Sequence, residues 1–288
     1  APHVPRLMHL LVQHGLLAST GCPALLPACA SCVCMLAASV LPGVGEAKDT
    51  NYSPRVLLQE VSSGLQCGTM TVSDGQRVET APNPTMPTRM ASGKCESEAL
   101  LRQICLPLLS LLPNKIPPLA SGAATCLRSL VDTSTWRSWA PNILVEELCY
   151  KAALAAATSP PTTQTTISHL LLLRSLASTN PSAITKLAPP LIRLSIGILL
   201  PHPFSATSAA WQLRVAAIHL LEVLLIKASD YTLLSDHLRP SLAALEKCRR
   251  HDKLPQVRNA VIHSIHTLQT LQEQHSLIGT TSVATHSS

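Results

Sequence analysis

Three closely spaced cysteines are the residues most typical of a metal site: Cys29, Cys32 and Cys34. A structural zinc site needs four ligands, which usually come as two close pairs. The sequence has no second close pair of cysteines, and the histidines nearby lack ligand spacing: His3, His9 and His14. We therefore predict that these cysteines bind no metal.

Sequence signatures of enzymes are missing. The chain contains no G-x-G-x-x-G, no P-loop, no H-E-x-x-H and no G-x-S-x-G. We therefore predict a non-catalytic protein without a cofactor. The net charge of +6 is a mild bias toward anionic partners. Stacking aromatics and a dense Lys/Arg stripe are missing, so specific nucleic-acid binding is not predicted.

A local basic cluster is the strongest candidate for a binding site. We call it the basic turn, and it comprises Lys247, Arg249, Arg250, His251, Lys253 and Arg258. It spans the predicted turn between the last two helices, and such loops often line the binding edge of a repeat protein. The helix dipole also stabilises cations near a helix C-terminus. This explains the positions of Lys247, Arg249 and Arg250 equally well. Lys253 and Arg258 lie near a helix N-terminus, where the helix dipole does not stabilise a cation.

Other candidate residues are interpreted as structural. Arg214 and Arg258 share a repeat position, and we expect such arginines to pair with an acidic residue of a neighbouring repeat. Trp136 and Trp211 are assigned to the seams between repeats, although an exposed tryptophan can also anchor a partner. The twelve histidines are interpreted as surface residues.

Composition points to an all-α fold. Apolar residues make up 46% of the 288-residue chain and charged residues 13%, which excludes a disordered chain. Aromatic residues are only 2%, which argues against an all-β fold. The apolar residues are mostly leucine and alanine, which are good helix formers. A core without aromatics is thin and suits helix pairs stacked one layer deep.

The hydrophobic pattern predicts four helix pairs after Cys95. Short loops rich in Pro, Ser, Thr and Asn separate the helices. The predicted helices are Glu96–Leu112, Leu119–Val131, Ile143–Ala157, Thr165–Ala177, Ser182–Leu200, Ser208–Ala228, Tyr231–Arg249 and Leu254–Gln274.

Internal repeats identify the architecture. Leu-Arg-Val-Ala at Leu213 matches Val-Arg-Asn-Ala at Val257, and Leu-Arg-Ser-Leu at Leu127 recurs at Leu173. These spacings fall within the armadillo/HEAT period of about 40–47 residues. Prolines at equivalent places should kink a helix or begin a new segment: Pro107, Pro190 and Pro240. We predict an armadillo/HEAT-type α-solenoid.

The domain boundaries follow from these patterns. We expect a degenerate helical repeat at 1–41, a disordered insertion at 42–94, the repeat domain at 95–275 and a disordered tail at 276–288. Pro23–Leu41 is long enough to cross a membrane. Its Ala, Cys and Ser content and its prolines favour a buried helix, with a membrane or signal segment as the alternative. The sequence begins with Ala1 rather than Met, so we expect a fragment.

Four cysteines lie within apolar helical patterns: Cys105, Cys126, Cys149 and Cys248. Buried free thiols explain this placement better than disulfides do. We therefore expect a reducing, intracellular compartment.

Three stretches carry a family resemblance. They are Leu119–Asp132 with Trp136 behind it; Asn180-Pro181 ahead of the helix that ends at Ile198-Leu199-Leu200; and Leu245–Arg249 with Asp252-Lys253 and Val257–Val261. Together they resemble the armadillo domain of plant SINE-type proteins, which belong to a broader group with the TORTIFOLIA/SPIRAL proteins. The most specific stretch reads S-G-A-A-x-C-L-x-x-L-V-D. The resemblance covers Glu96 to Leu271.

The resemblance implies a cytoskeletal function. SINE-type proteins associate with actin filaments through the armadillo domain, and a C-terminal membrane tail connects them to SUN-domain proteins at the nuclear envelope. TORTIFOLIA/SPIRAL proteins bind microtubules through similar repeats. We therefore expect a cytoplasmic scaffold on actin filaments, with microtubules second. No membrane segment occurs in the polar end at Gly279–Ser288. The competing hypothesis is an adaptor for other proteins or peptides, although the usual Trp and Asn ladders of such grooves are missing.

Overall fold

The computed structural model describes residues 3–19, 25–41, 89–158, 164–200, 210–227 and 231–284. Within these ranges every regular element is a helix, and no strand occurs. This agrees with the all-α fold expected from a leucine- and alanine-rich chain with few aromatics.

The first four helices are α1, which runs as Val4–Leu10, a π-helical segment Leu11–Leu16 and Leu17–Ser19; α2, Leu25–Val40; α3, Arg89–Leu111; and α4, Pro117–Val131. The next three are α5, Ser134–Trp139; α6, Asn142–Thr158; and α7, Gln164–Thr179. The last five are α8, Pro181–Ile184, which continues through a 3₁₀ turn at Thr185–Leu187 into α9, Ala188–Leu199; α10, Ala210–Ile226; α11, Tyr231–His251; and α12, Pro255–Ala284.

The helices pack in two rows. In the central row α2 packs on α4, α4 on α7, α7 on α10 and α10 on α12. In the flanking row α1 packs on α3, α3 on α6, α6 on α8 and α9 on α11. Each flanking helix also contacts the central helix that follows it in sequence, so the described helices form five pairs. The apolar faces of the two rows make one continuous core.

Small residues let the central helix α4 lie between two neighbours. All residues from Leu119 to Ala124 are buried. A Cβ on Gly122 would lie 3.1 Å from Cδ2 of Leu16 and 3.4 Å from Cδ1 of Leu26, so glycine permits the close approach of the first pair. On the other side of α4, the Ser121 hydroxyl is hydrogen-bonded to the Ser168 hydroxyl of α7 at 2.7 Å. The S-G-A-A stretch is therefore a packing motif.

Two of the three repeated prolines lie within helices, and the third lies near a helix start. Pro107 and Pro240 lie inside α3 and α11. Pro190 lies in the first turn of α9, just after the 3₁₀ turn, where its fixed φ suits a helix start.

Several boundaries differ from those predicted. The short helix α5 occupies a segment predicted as a loop, and the Thr133 side chain caps it by accepting from the Trp136 N–H. Helix α12 continues to Ala284, so the predicted tail at 276–288 begins inside a helix. Helix α3 begins at Arg89, inside the predicted insertion, and residues 42–88 of that insertion lie outside the described residues.

Two apolar segments bear on the membrane question. Helix α2 has 16 residues, fewer than the roughly 20 that span a bilayer, and it buries Cys29, Ala30, Val33 and Ala37. Among the described residues, Pro181–Leu199 is long and apolar enough to cross a membrane by length and composition. This is weak evidence, because core helices pass the same test, and α9 packs against α10 and α11.

Candidate filament-binding edge

The basic turn is built on a buried anchor, Asp252. Helix α11 ends at His251 and α12 begins at Pro255. The Asp252 Oδ1 atom accepts a hydrogen bond from the Leu254 N–H at 2.9 Å, and the Asp252 N–H donates to the Cys248 carbonyl at 2.8 Å. The Asp252 Oδ2 atom lies 2.6 Å from Nε of Arg214 on α10. These contacts fix the turn to the preceding helix pair.

The side chains of the basic turn are exposed to solvent. All six residues are exposed: Lys247, Arg249, Arg250, His251, Lys253 and Arg258. Arg249 forms an ion pair with Glu246 one turn earlier, at 2.9 Å. Within the described part of the chain, no carboxylate lies within ion-pair distance of Lys247, Arg250 or Lys253. Their charge is therefore available to a partner.

Arg214 and Arg258 have different environments despite their shared repeat position. Arg214 is mostly buried and pairs with Asp252 of the next helix pair, which is the kind of partner that the sequence leads us to expect. Arg258 is exposed, and among the described residues no acidic side chain lies within 4.0 Å of its guanidinium. Arg258 therefore belongs with the solvent-facing cations rather than with a seam.

The described tryptophans are buried or partly buried. Trp136 is fully buried, and its indole Nε1–H donates to Oδ1 of Asn180 at 2.9 Å, which joins α5 to the start of α8. The Thr179 hydroxyl donates to the same Asn180 oxygen at 3.0 Å. Trp139 and Trp211 are partly buried against the core. Trp136 is therefore not free to anchor another protein.

The sequence does not predict a polar contact that the structure shows between α10 and α12. The Ser264 hydroxyl donates to Oε2 of Glu222 at 2.6 Å, and the rings of His219 and His263 each lie 3.8 Å from this carboxylate. The pKa of Glu222 is lowered, first by the neighbouring His219 and then by the hydrogen bond from Ser264, against the opposing effect of burial. The one signal in the sequence is an acidic residue within the apolar stretch of α10.

The surface interpretation of the histidines is wrong for His169. Its side chain is fully buried on α7, and burial lowers its pKa to about 4. The imidazole is therefore neutral at physiological pH and behaves as a core residue.

The cysteines of α3, α4, α6 and α11 with described side chains are buried thiols. Seven cysteines have described side chains, all seven are free, and four of them are buried in these helices: Cys105, Cys126, Cys149 and Cys248. Burial raises the pKa to about 12 for Cys105, Cys126 and Cys149 and to about 11 for Cys248. These thiols stay protonated, which makes them poor nucleophiles. In the described ranges no group of three or more His, Cys, Asp or Glu side chains is placed to hold a metal ion.

Comparison with known proteins gives one informative match. The chain is 27% identical over 172 residues to Protein SINE1 of Arabidopsis thaliana. The match covers 60% of this chain and 29% of the relative, so the chain spans less than a third of that protein's length. The resemblance to SINE-type proteins is thereby confirmed. No protein-family model and no solved structure matches the chain.

Proposed function

We propose, from the similarity to Protein SINE1 and from the exposed basic turn, that the chain is a non-catalytic scaffold that binds a cytoskeletal filament. Actin filaments are the first candidate and microtubules the second. The scaffold is an armadillo/HEAT-type α-solenoid. Its chemistry is surface recognition alone, without a cofactor.

The spacing of inter-pair hydrogen bonds supports the solenoid. Residues that bond across successive central helices are 47 positions apart for Ser121 and Ser168 and 42 apart for Glu222 and Ser264. Thr165 donates to the Pro117 carbonyl 48 positions earlier. These offsets lie near the armadillo/HEAT period of about 40–47 residues. Equivalent helix positions therefore face each other in successive pairs, as in a repeat stack.

The observation that carries the function is the set of unpaired cations on a fixed turn. Lys247, Arg250 and Lys253 are exposed, while Asp252 between them is tied to Arg214. A turn that is fixed before binding loses less backbone entropy than a mobile loop, and its cations steer toward an acidic surface. Actin and tubulin surfaces are acidic. The filament therefore contacts the α11–α12 edge, while the stacked pairs hold that edge in place.

The experiment is co-sedimentation of the chain with purified actin filaments and, in parallel, with microtubules at low and moderate salt. We expect pelleting with actin that weakens as salt rises, because exposed charges are screened beyond about 10 Å at 0.1 M salt. Pelleting with microtubules alone would select the second candidate. Pelleting with neither polymer would contradict filament binding and leave the adaptor hypothesis.

We place the protein in the cytoplasm on the cytoskeleton. A membrane tail in a longer form would add the nuclear envelope. A fluorescent fusion of this chain should decorate filaments in plant cells, and a diffuse signal would contradict that localisation.

A further inference from the structure

A polar groove lies between two helices of the central row, at their C-terminal halves. Its volume is about 370 Å³, which is within the size range of ligand sites, about 300–1,000 Å³. Its walls come from α4 and α7, which pack directly on each other. The lining residues are Arg128, Asp132, Leu171, Arg174, Ser175 and Ser178.

The two arginines of this groove are repeat equivalents. Arg128 and Arg174 occupy the same place in the two Leu-Arg-Ser-Leu stretches. Arg128 is half-buried and Arg174 is exposed. In the described part of the chain, no carboxylate lies within 4.0 Å of either guanidinium. Asp132 lines the same groove but lies farther than this from both arginines. Two guanidinium groups therefore line one groove, and neither forms an ion pair with a described carboxylate.

We propose that this groove binds an acidic side chain of an extended peptide segment from a partner protein. Arginine binds a carboxylate through two parallel hydrogen bonds, and the Ser175 hydroxyl can donate a further one. Asp132 repels a doubly charged phosphate more strongly than a singly charged carboxylate, and its own carboxylate can accept a hydrogen bond from a peptide N–H, so the groove suits a peptide carboxylate better than a phosphate. Leu171 offers an apolar contact for the methylene groups of glutamate.

The groove is separate from the basic turn. It lies at the C-terminal halves of α4 and α7, whereas the basic turn joins α11 to α12, and α10 stands between α7 and α12 in the central row. The inference therefore does not rest on filament binding. A scaffold with both sites would hold a filament with one surface and an acidic peptide with the other.

The test measures fluorescence anisotropy of fluorescein-labelled hexaglutamate with the 288-residue chain, beside hexaglutamine. We expect Arg174→Gln and Arg128→Gln each to weaken hexaglutamate binding about tenfold or more. The matched control is Arg193→Gln, an exposed arginine on α9, and it should leave binding unchanged. All of these variants are made in a chain that also carries Arg249→Glu, Arg250→Glu and Lys253→Glu, so that the basic turn, which also attracts acidic chains, does not contribute to the signal.

Ser178→Glu keeps the test decisive if an arginine variant unfolds, because Ser178 is exposed and near the end of α7. The added carboxylate should abolish hexaglutamate binding while the circular dichroism spectrum stays that of a helical protein. The proposal is overturned if hexaglutamine binds equally well, or if folded groove variants bind like wild type. It is also overturned if Arg193→Gln weakens binding as much as Arg174→Gln, or if an equal concentration of inorganic phosphate displaces the peptide.

Discussion

The Arg214 guanidinium on α10 lies 2.6 Å from the Asp252 carboxylate in the turn between α11 and α12. The exposed fractions of the two side chains are only 11% and 7%, so water screens this pair weakly. The contact joins two successive helix pairs and also holds the turn that carries the exposed cations. The packing of these two helix pairs and the proposed binding edge therefore depend on the same ion pair.

Asp252→Ala should lower the free energy of unfolding by about 3 kcal/mol, because it removes the carboxylate that pairs with the mostly buried Arg214 charge. Urea denaturation followed by circular dichroism measures the change. Glu246→Ala is the matched control, since it breaks the exposed pair with Arg249 and should cost less than about 1 kcal/mol. Equal costs for the two variants would show that the Arg214 contact adds no more stability than a surface pair.

The Trp136–Asn180 hydrogen bond should contribute a measurable coupling energy. Trp136→Phe keeps most of the buried ring but removes the Nε1–H donor, and Asn180→Ala removes the acceptor. A double-mutant cycle should give about 1 kcal/mol of coupling. A coupling near zero would mean that the indole fills space between the pairs without fixing their register.

Two helical glycines should respond to substitution in opposite directions. Gly122→Val should destabilise the protein by about 1–3 kcal/mol, because the added atoms press on Leu16 and Leu26. Gly197→Ala should stabilise it by about 0.5–1 kcal/mol, since nothing lies within 4 Å of the new Cβ and alanine is the better helix former. Thermal and urea unfolding measure both changes. Tolerance of valine at 122 would argue against close packing of the first pair on α4.

Stability should depend on pH through His169. Its folded pKa of about 4 lies below the ordinary value of 6.5, so the unfolded chain binds the proton more tightly. Stability from this group is therefore full above pH 6.5 and is lost as pH falls toward 4. Between pH 7.5 and pH 5 the loss should be about 2 kcal/mol.

His169→Gln isolates this effect, because glutamine carries no charge at any of these pH values. The difference in unfolding free energy between wild type and variant should shrink or reverse as pH falls from 7.5 to 5. Staying above pH 5 avoids the titration of Glu222, whose pKa is lowered from 4.5. A constant difference across this range would mean that His169 is not buried as a neutral ring.

Helix periodicity could be predicted from the sequence because it is local. The apolar stripe of α10 at Leu213, Ala217, Leu220, Leu221 and Leu224 is buried throughout. The sequence also indicates that Arg214 needs an acidic partner, but not that Asp252 is that residue. The identity of a partner depends on the register between two helices, which no local pattern contains.

Three other features could not be predicted from the sequence, each for a physical reason. Helix α5 has six residues and a Thr133 cap, which is too short for a hydrophobic period to show. His169 looks like a surface residue by type, yet α7 is packed between α4 and α10 and buries it. The groove beside Arg128 and Arg174 could not be predicted, because it depends on which side chains of α4 and α7 stay exposed once the two helices pack.

The central claim, that the basic turn holds a filament, is tested most directly by co-sedimentation of a charge-reversed chain with actin filaments at moderate salt. The variant carries Arg249→Glu, Arg250→Glu and Lys253→Glu. A control with the same total charge change reverses three exposed cations elsewhere: Arg137, Lys186 and Arg193. We predict that the first variant stays in the supernatant while the control pellets like wild type, with equal melting temperatures. Pelleting of both variants like wild type, or equal loss from both, would contradict the account.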